Sequence, residues 1–66
     1  MFDEKYSLVG VDGNAFAVIA YVRKAMRREG WDKELIDSYT QEAMSGDYDN
    51  LLAVSVRMLD KLNEIN

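Results

Sequence analysis

Apolar residues recur along most of this chain at intervals of three and four, and the rhythm is interrupted at glycines. From Asn14 to Glu29, Ala15, Val18, Ile19, Val22, Ala25 and Met26 fall on one helical stripe. Gly30 follows the last charged turn, where a left-handed residue closes a helix at least steric cost. The next segment, "WDKELIDSYTQEAMSG", opens with Asp32 as an N-cap and Trp31 placed to staple onto Ile36. Its predicted buried face is Leu35, Ile36, Tyr39, Ala43 and Met44, and Gly46 is the second glycine stop. Asp47 or Asp49 caps a third helix, in which Leu51, Leu52, Ser55, Met58, Leu59 and Leu62 repeat the helical interval.

Only "YSLVGV", Tyr6 to Val11, reads as extended. A single strand leaves its own backbone groups unsatisfied. It therefore lies across the helices as an ordered arm or pairs with the same segment of another chain. The prediction is an all-α protein, one domain over residues 1–66, with an extended arm and turn over 1–13 and three helices over 14–66. Short glycine turns make the helices run up, down and up. That topology places Asp12-Gly13-Asn14 beside "GDYDN" (Gly46 to Asn50), so the two most polar loops are predicted neighbours.

Composition sharpens this picture. A chain of 66 residues buries only about 60% of the surface its unfolded form exposes, and small domains usually add a staple. Without cysteine or histidine, disulfides are impossible and the usual zinc cages are not expected. With a 48% hydrophobic fraction, the remaining routes are efficient helix packing and self-association, and a homo-oligomer is expected. A net charge of −4 makes nucleic acid an unlikely partner. The polar, acidic start "MFDEKYS" lacks the pattern of a signal peptide. The longest apolar run, Ala15 to Val22, is far short of the roughly 20 residues that span a bilayer. The expectation is a cytoplasmic protein without membrane contact.

Helix starts attract anions, but Asp12, Asp47 and Asp49 can fill those donors themselves. The favoured reading of the two loops is a set of helix caps and a loop-to-loop lock built from Asp12, Gly13, Asn14, Gly46, Asp47 and Asp49, with Asp32 capping the second helix. An oxygen-ligated cation among Asp12, Asn14, Asp47 and Asp49 is disfavoured by the helix dipoles, so no metal and no cofactor are expected. Helix one also carries Arg23, Lys24, Arg27 and Arg28 with no acid between Asn14 and Arg28. These form two rows, Arg23 with Arg27 and Lys24 with Arg28. Pairing with Asp32, Glu34 or Asp37 explains them most simply; the functional alternative is a ridge, to which Tyr21 and Arg57 could add, that faces a nucleotide, RNA or an acidic protein. Tyr39 reads as core, Phe2 and Tyr6 as anchors of the arm, and Tyr48 as an exposed contact. No serine or threonine has a recognisable activating partner, so catalysis is not expected.

"LVGVDGNAF" (Leu8 to Phe16), "RKAMRREG" (Arg23 to Gly30), Ile36-Asp37 and "EAMSGDYDNLL" (Glu42 to Leu52) together resemble a family of small uncharacterised bacterial proteins, often found in phage or other mobile elements. The resemblance covers most of the chain and implies no activity, ligand or site residue. It does imply a setting in which small acidic helical proteins work by binding, for example to a host protein. The sequence thus points to a non-catalytic protein-binding molecule. The alternatives are a binder of an anionic small molecule or nucleic acid through helix one, and a purely structural self-assembling subunit.

Overall fold

A computed structural model of the chain describes residues 5–64. It contains three helices, α1 (Ala15–Arg28), α2 (Lys33–Ala43) and α3 (Tyr48–Glu64). Each packs on the other two, and no strand occurs among the described residues. This is the small three-helix bundle that the periodicity predicts. Val18, Ile19, Val22, Ala25 and Met26 of α1 are buried, as their spacing requires. Ile36, Tyr39 and Ala43 meet them from α2, and Leu51, Val54, Leu59 and Leu62 from α3.

Two positions depart from the predicted buried faces. Leu35 is 49% exposed and Met44 59% exposed. α2 has only 11 residues, and its contact stripe is narrow: Ile36, Tyr39 and Ala43 fill it. Leu35 falls outside that stripe, and Met44 is already the C-cap. One polar residue lies inside instead. Ser55 is fully buried on α3, and its Oγ shares a 2.6 Å hydrogen bond with the Tyr39 hydroxyl. The bond gives each hydroxyl the partner that burial demands.

The turn between α1 and α2 follows the glycine rule. Gly30 has φ +85°, its N–H donates to Arg27 O, and the Trp31 N–H reaches back to Met26 O. These two bonds are the Schellman pattern. Trp31 then packs against the core cluster, which includes Ile36, and Asp32 caps α2 by accepting from the Leu35 N–H at 3.0 Å.

The turn between α2 and α3 works differently and corrects the expectation of a second glycine stop. Gly46 does not have a positive φ. The Asn50 side chain, from the first turn of α3, donates instead to Glu42 O at 3.0 Å and Ala43 O at 3.4 Å. Gly46 is needed for room: a Cβ there would lie 3.0 Å from Asn50 Cβ.

The arm before α1 lies across the bundle, but it is not extended throughout. Val11 N–H donates to Leu8 O at 3.0 Å, closing a turn with Gly10 at φ +86° in its third position. Tyr6 is the anchor and is buried with the core; Phe2, the other expected anchor, lies outside the described residues. The Asn63 carboxamide on α3 satisfies the Tyr6 backbone on both sides. Its Oδ1 accepts from the Tyr6 N–H and its Nδ2 donates to Tyr6 O, each at 2.9 Å. The Tyr6 hydroxyl donates to Glu29 Oε2 at 2.5 Å, and the Ser7 N–H donates to the Tyr21 hydroxyl.

Removing the carboxamide orphans two partly buried backbone groups. Asn63→Ala should cost about 1–3 kcal/mol, and each kcal/mol should lower Tm by about 4–8 °C in a domain of this size. Unchanged thermal unfolding would show that the arm is not held this way. Alkaline pH should loosen the same region. The hydrogen bond to Glu29, burial and the Glu29 charge all raise the Tyr6 hydroxyl above its ordinary value. Burial raises Tyr39, against the bond from Ser55. Both contributions are complete below about pH 10 and are lost as pH rises through the folded values. Stability followed by circular dichroism should therefore fall above about pH 10, and less steeply in Tyr6→Phe.

Candidate functional site

The two polar loops meet as the topology requires. Tyr48, the first residue of α3, donates its hydroxyl to the Gly13 carbonyl just before α1. The residue expected to face a partner is thus itself the bolt between the loops, although 42% of its surface stays exposed.

The caps are more sharply divided than the sequence allowed. Asn14 caps α1, its side chain accepting from the Ala17 N–H at 2.9 Å. Asp12 does not cap the helix. Its carboxylate accepts from the Asn14 N–H at 3.1 Å and so braces the residue that does. Asp47 caps α3 by accepting from the Asn50 N–H at 2.9 Å, while Leu51 N–H takes the Asp47 carbonyl. Asp49 lies inside the first turn of α3, where a carboxylate favours the positive end of the helix dipole. No group of three or more histidine, cysteine, aspartate or glutamate side chains suited to a metal ion occurs among the described residues.

Beside the lock lies an open cleft of about 240 Å³. Ala15, Phe16 and Ile19 line it from α1, Tyr48 and Leu51 from α3, and Met44 and Asp47 from the connection between α2 and α3. Phe16 is 78% exposed at its edge, opposite the outward-turned Met44. Asp47 lines it, Asp12 lies in the loop locked to Tyr48 through Gly13, and Asp49 is in the first turn of α3. No lysine or arginine occurs between Tyr6 and Val22 or between Glu34 and Val56, so this end of the bundle carries acids without compensating bases. The cleft was not evident from the sequence, because Phe16 sits next to the helical stripe and reads as part of an apolar run. The signal for it was one aromatic residue too many on the first turn of α1.

The four bases of helix one do not act as one ridge. Arg23 turns towards α2, where Nη1 donates to Thr40 Oγ1 at 2.7 Å and meets Asp37 Oδ1 at 3.5 Å. Asp37 also takes Lys33 Nζ at 2.8 Å. That hydrogen bond, with the charges of Lys33 and Arg23, holds the Asp37 carboxyl below its ordinary value. Of the acids expected to pair with the ridge, Asp37 alone does so among the described residues; Asp32 is a cap. Lys24, Arg27 and Arg28 are exposed and make no ion pair among the described residues. Lys5, which the sequence did not single out, pairs with Glu29 at 3.0 Å and stands beside Tyr6.

No family model, curated protein or solved structure matches this chain. No helix among the described residues is long and apolar enough to cross a membrane.

The division of labour among the caps has a direct test. Asp47→Ala should cost about 0.5–2 kcal/mol of stability, and Tyr48→Phe about 0.5–1.5 kcal/mol, both read by thermal or urea unfolding. Asp12→Ala should cost less than Asp47→Ala, since it removes a brace rather than a cap. The reverse order would refute the assignment.

Proposed function

We propose that the protein is a non-catalytic binding protein of the cytoplasm, and that its working surface is the cleft of Phe16, Met44 and Tyr48. One observation carries this reading. Three large apolar side chains, exposed by 78%, 59% and 42%, converge on a single concavity at the acidic end of the bundle. Exposed apolar side chains gathered in one concavity, within a polar rim, are the usual mark of an interaction site.

The surrounding charge selects the occupant. Two copies meeting face to face through this cleft would set Asp12, Asp47 and Asp49 of each against those of the other, and like charges across an interface oppose association. The fitting occupant is a different protein that offers an apolar helix flanked by lysine or arginine. A host protein is in keeping with the resemblance of the loop motifs to small phage and bacterial proteins. Self-association, expected from the apolar fraction, has another surface available: Val9 is 91% exposed and lines a separate cleft with Leu8 and Val56.

The probe is a labelled amphipathic helical peptide of leucine and lysine, compared with a leucine–glutamate peptide bearing the same apolar face. Fluorescence anisotropy should show preferential binding of the basic peptide. Phe16→Ser should weaken it about tenfold or more, and Arg27→Gln should leave it within about twofold. Undiminished binding to Phe16→Ser, or preference for the acidic peptide, would remove the cleft as the site. A dimer in light scattering that Phe16→Ser dissociates would assign the cleft to a second copy and overturn the proposal.

A further inference from the structure

A second concavity lies at the opposite end of α1, between that helix and the arm. Tyr21, Lys24, Ala25 and Arg28 share one face of α1. The arm crosses this face, held there by the Ser7 N–H on the Tyr21 hydroxyl at 3.1 Å and by Asn63 on the Tyr6 backbone. The space between them is a cleft of about 200 Å³ lined by Lys5, Tyr6, Tyr21, Lys24, Ala25 and Arg28. Three of those six side chains are cations, and none is a carboxylate.

Two features set this cluster apart from an ordinary solvated face. The chain holds 12 acids against 8 bases, yet Lys24 and Arg28 stand one turn apart, like charge above like charge, without an ion pair among the described residues. The helix dipole accounts for Arg28, which lies in the last turn, but its influence fades within that turn and leaves Lys24 unexplained. Among the described residues, the acid that touches this group is Glu29, whose carboxylate holds Lys5 Nζ at 3.0 Å and accepts from the Tyr6 hydroxyl. Glu29 thus holds Lys5, which lines the cleft, but is not itself among the lining residues. The Tyr21 hydroxyl accepts from Ser7, so its own proton remains to be donated.

We infer that this cleft binds a phosphoryl dianion, either free phosphate or the phosphate end of a monoester. Arg28 offers a planar fork of N–H donors, and Lys24 and Lys5 offer ammonium groups from two sides. Tyr21 adds a neutral donor. Donors from separate directions match the three terminal oxygens of a phosphoryl group better than the two coplanar oxygens of a carboxylate. A water molecule occupies about 30 Å³ of liquid, so the volume suits one phosphoryl group with a few waters, and any organic portion would stay in solvent. The site keeps Lys24 and Arg28 from the expected ridge. Arg23 is spent on Asp37 and Thr40 and Arg27 does not line the cleft; Lys5 joins instead, beside Tyr21, which the ridge reading also offered.

The test is independent of the apolar cleft. ¹⁵N-labelled protein is titrated with inorganic phosphate, and separately with adenosine monophosphate and adenosine, at constant ionic strength set with chloride. Saturable shifts should be confined to residues around the cleft: Tyr6, Tyr21, Lys24, Ala25 and Arg28. The double variant Lys24→Gln with Arg28→Gln should weaken binding about tenfold or more, as expected for lost charge-assisted hydrogen bonds, while Arg27→Gln stays within about twofold. Equal affinity for phosphate and the monophosphate identifies free phosphate as the ligand, and tighter binding of the monophosphate identifies a nucleotide; either supports the site. Unsaturable shifts spread equally over Lys33, Arg57 and Lys61, or unchanged affinity in the double variant, would overturn it.

Discussion

The carboxamide of Asn63 takes the place of a neighbouring β-strand. It gives the Tyr6 backbone one acceptor and one donor at 2.9 Å, as a paired strand would, and so lets a lone extended segment lie on a helical bundle without orphaned polar groups. Much of the structure follows from that pairing. Tyr6 enters the core as the only described buried residue outside the helices. Its hydroxyl reaches Glu29 at the end of α1, and the arm roofs the basic face of that helix. In a chain with no disulfide, this contact joins the arm to the last helix.

The two candidate surfaces are kept apart by the same up-down-up topology. The starts of α1 and α3 are bolted together by Tyr48 and Gly13, and acids without compensating bases collect there. The end of α1 and the end of α3 are bridged by the arm, and most of the bases collect there. An apolar cleft with an acidic rim and a polar cleft lined by cations therefore occupy opposite ends of one small bundle. Occupying one end leaves the other accessible. If both proposals hold, the two ligands would bind at separate ends without direct competition between them.

What could be read from the sequence was whatever depends on neighbours within one or two turns. The apolar spacing of α1, the Asp32 cap and the Gly30 stop are local, and each is found where its pattern placed it. The neighbouring loops followed from helix count and short turns alone. The less legible features depend on partners distant in sequence. Nothing near Asn50 announces that its side chain will close α2, nor anything near Asn63 that it will hold Tyr6. Leu35 lies outside the core because helical spacing marks a stripe wider than the strip that α1 and α3 cover. Asp12 reads as a cap because aspartate serves equally in the turn before one. On the basic ridge, spacing alone could not show that Arg23 turns to α2 or that Lys5 arrives from the arm.

The bond between Tyr6 and Asn63 spans 57 residues of sequence, whereas most helix contacts form between segments joined by short turns. Closing so long a loop carries an entropic cost that rises with its length, so the arm is the part whose ordering depends most on the rest being already in place. The arm is therefore expected to open before the bundle does, and it cannot stay ordered once α3 unwinds at Asn63. When it lifts, the roof of the cationic cleft goes with it. A phosphoryl ligand bound under the arm would act as a latch, and its occupancy would be read in how protected the backbone of Tyr6 and Ser7 is from solvent exchange.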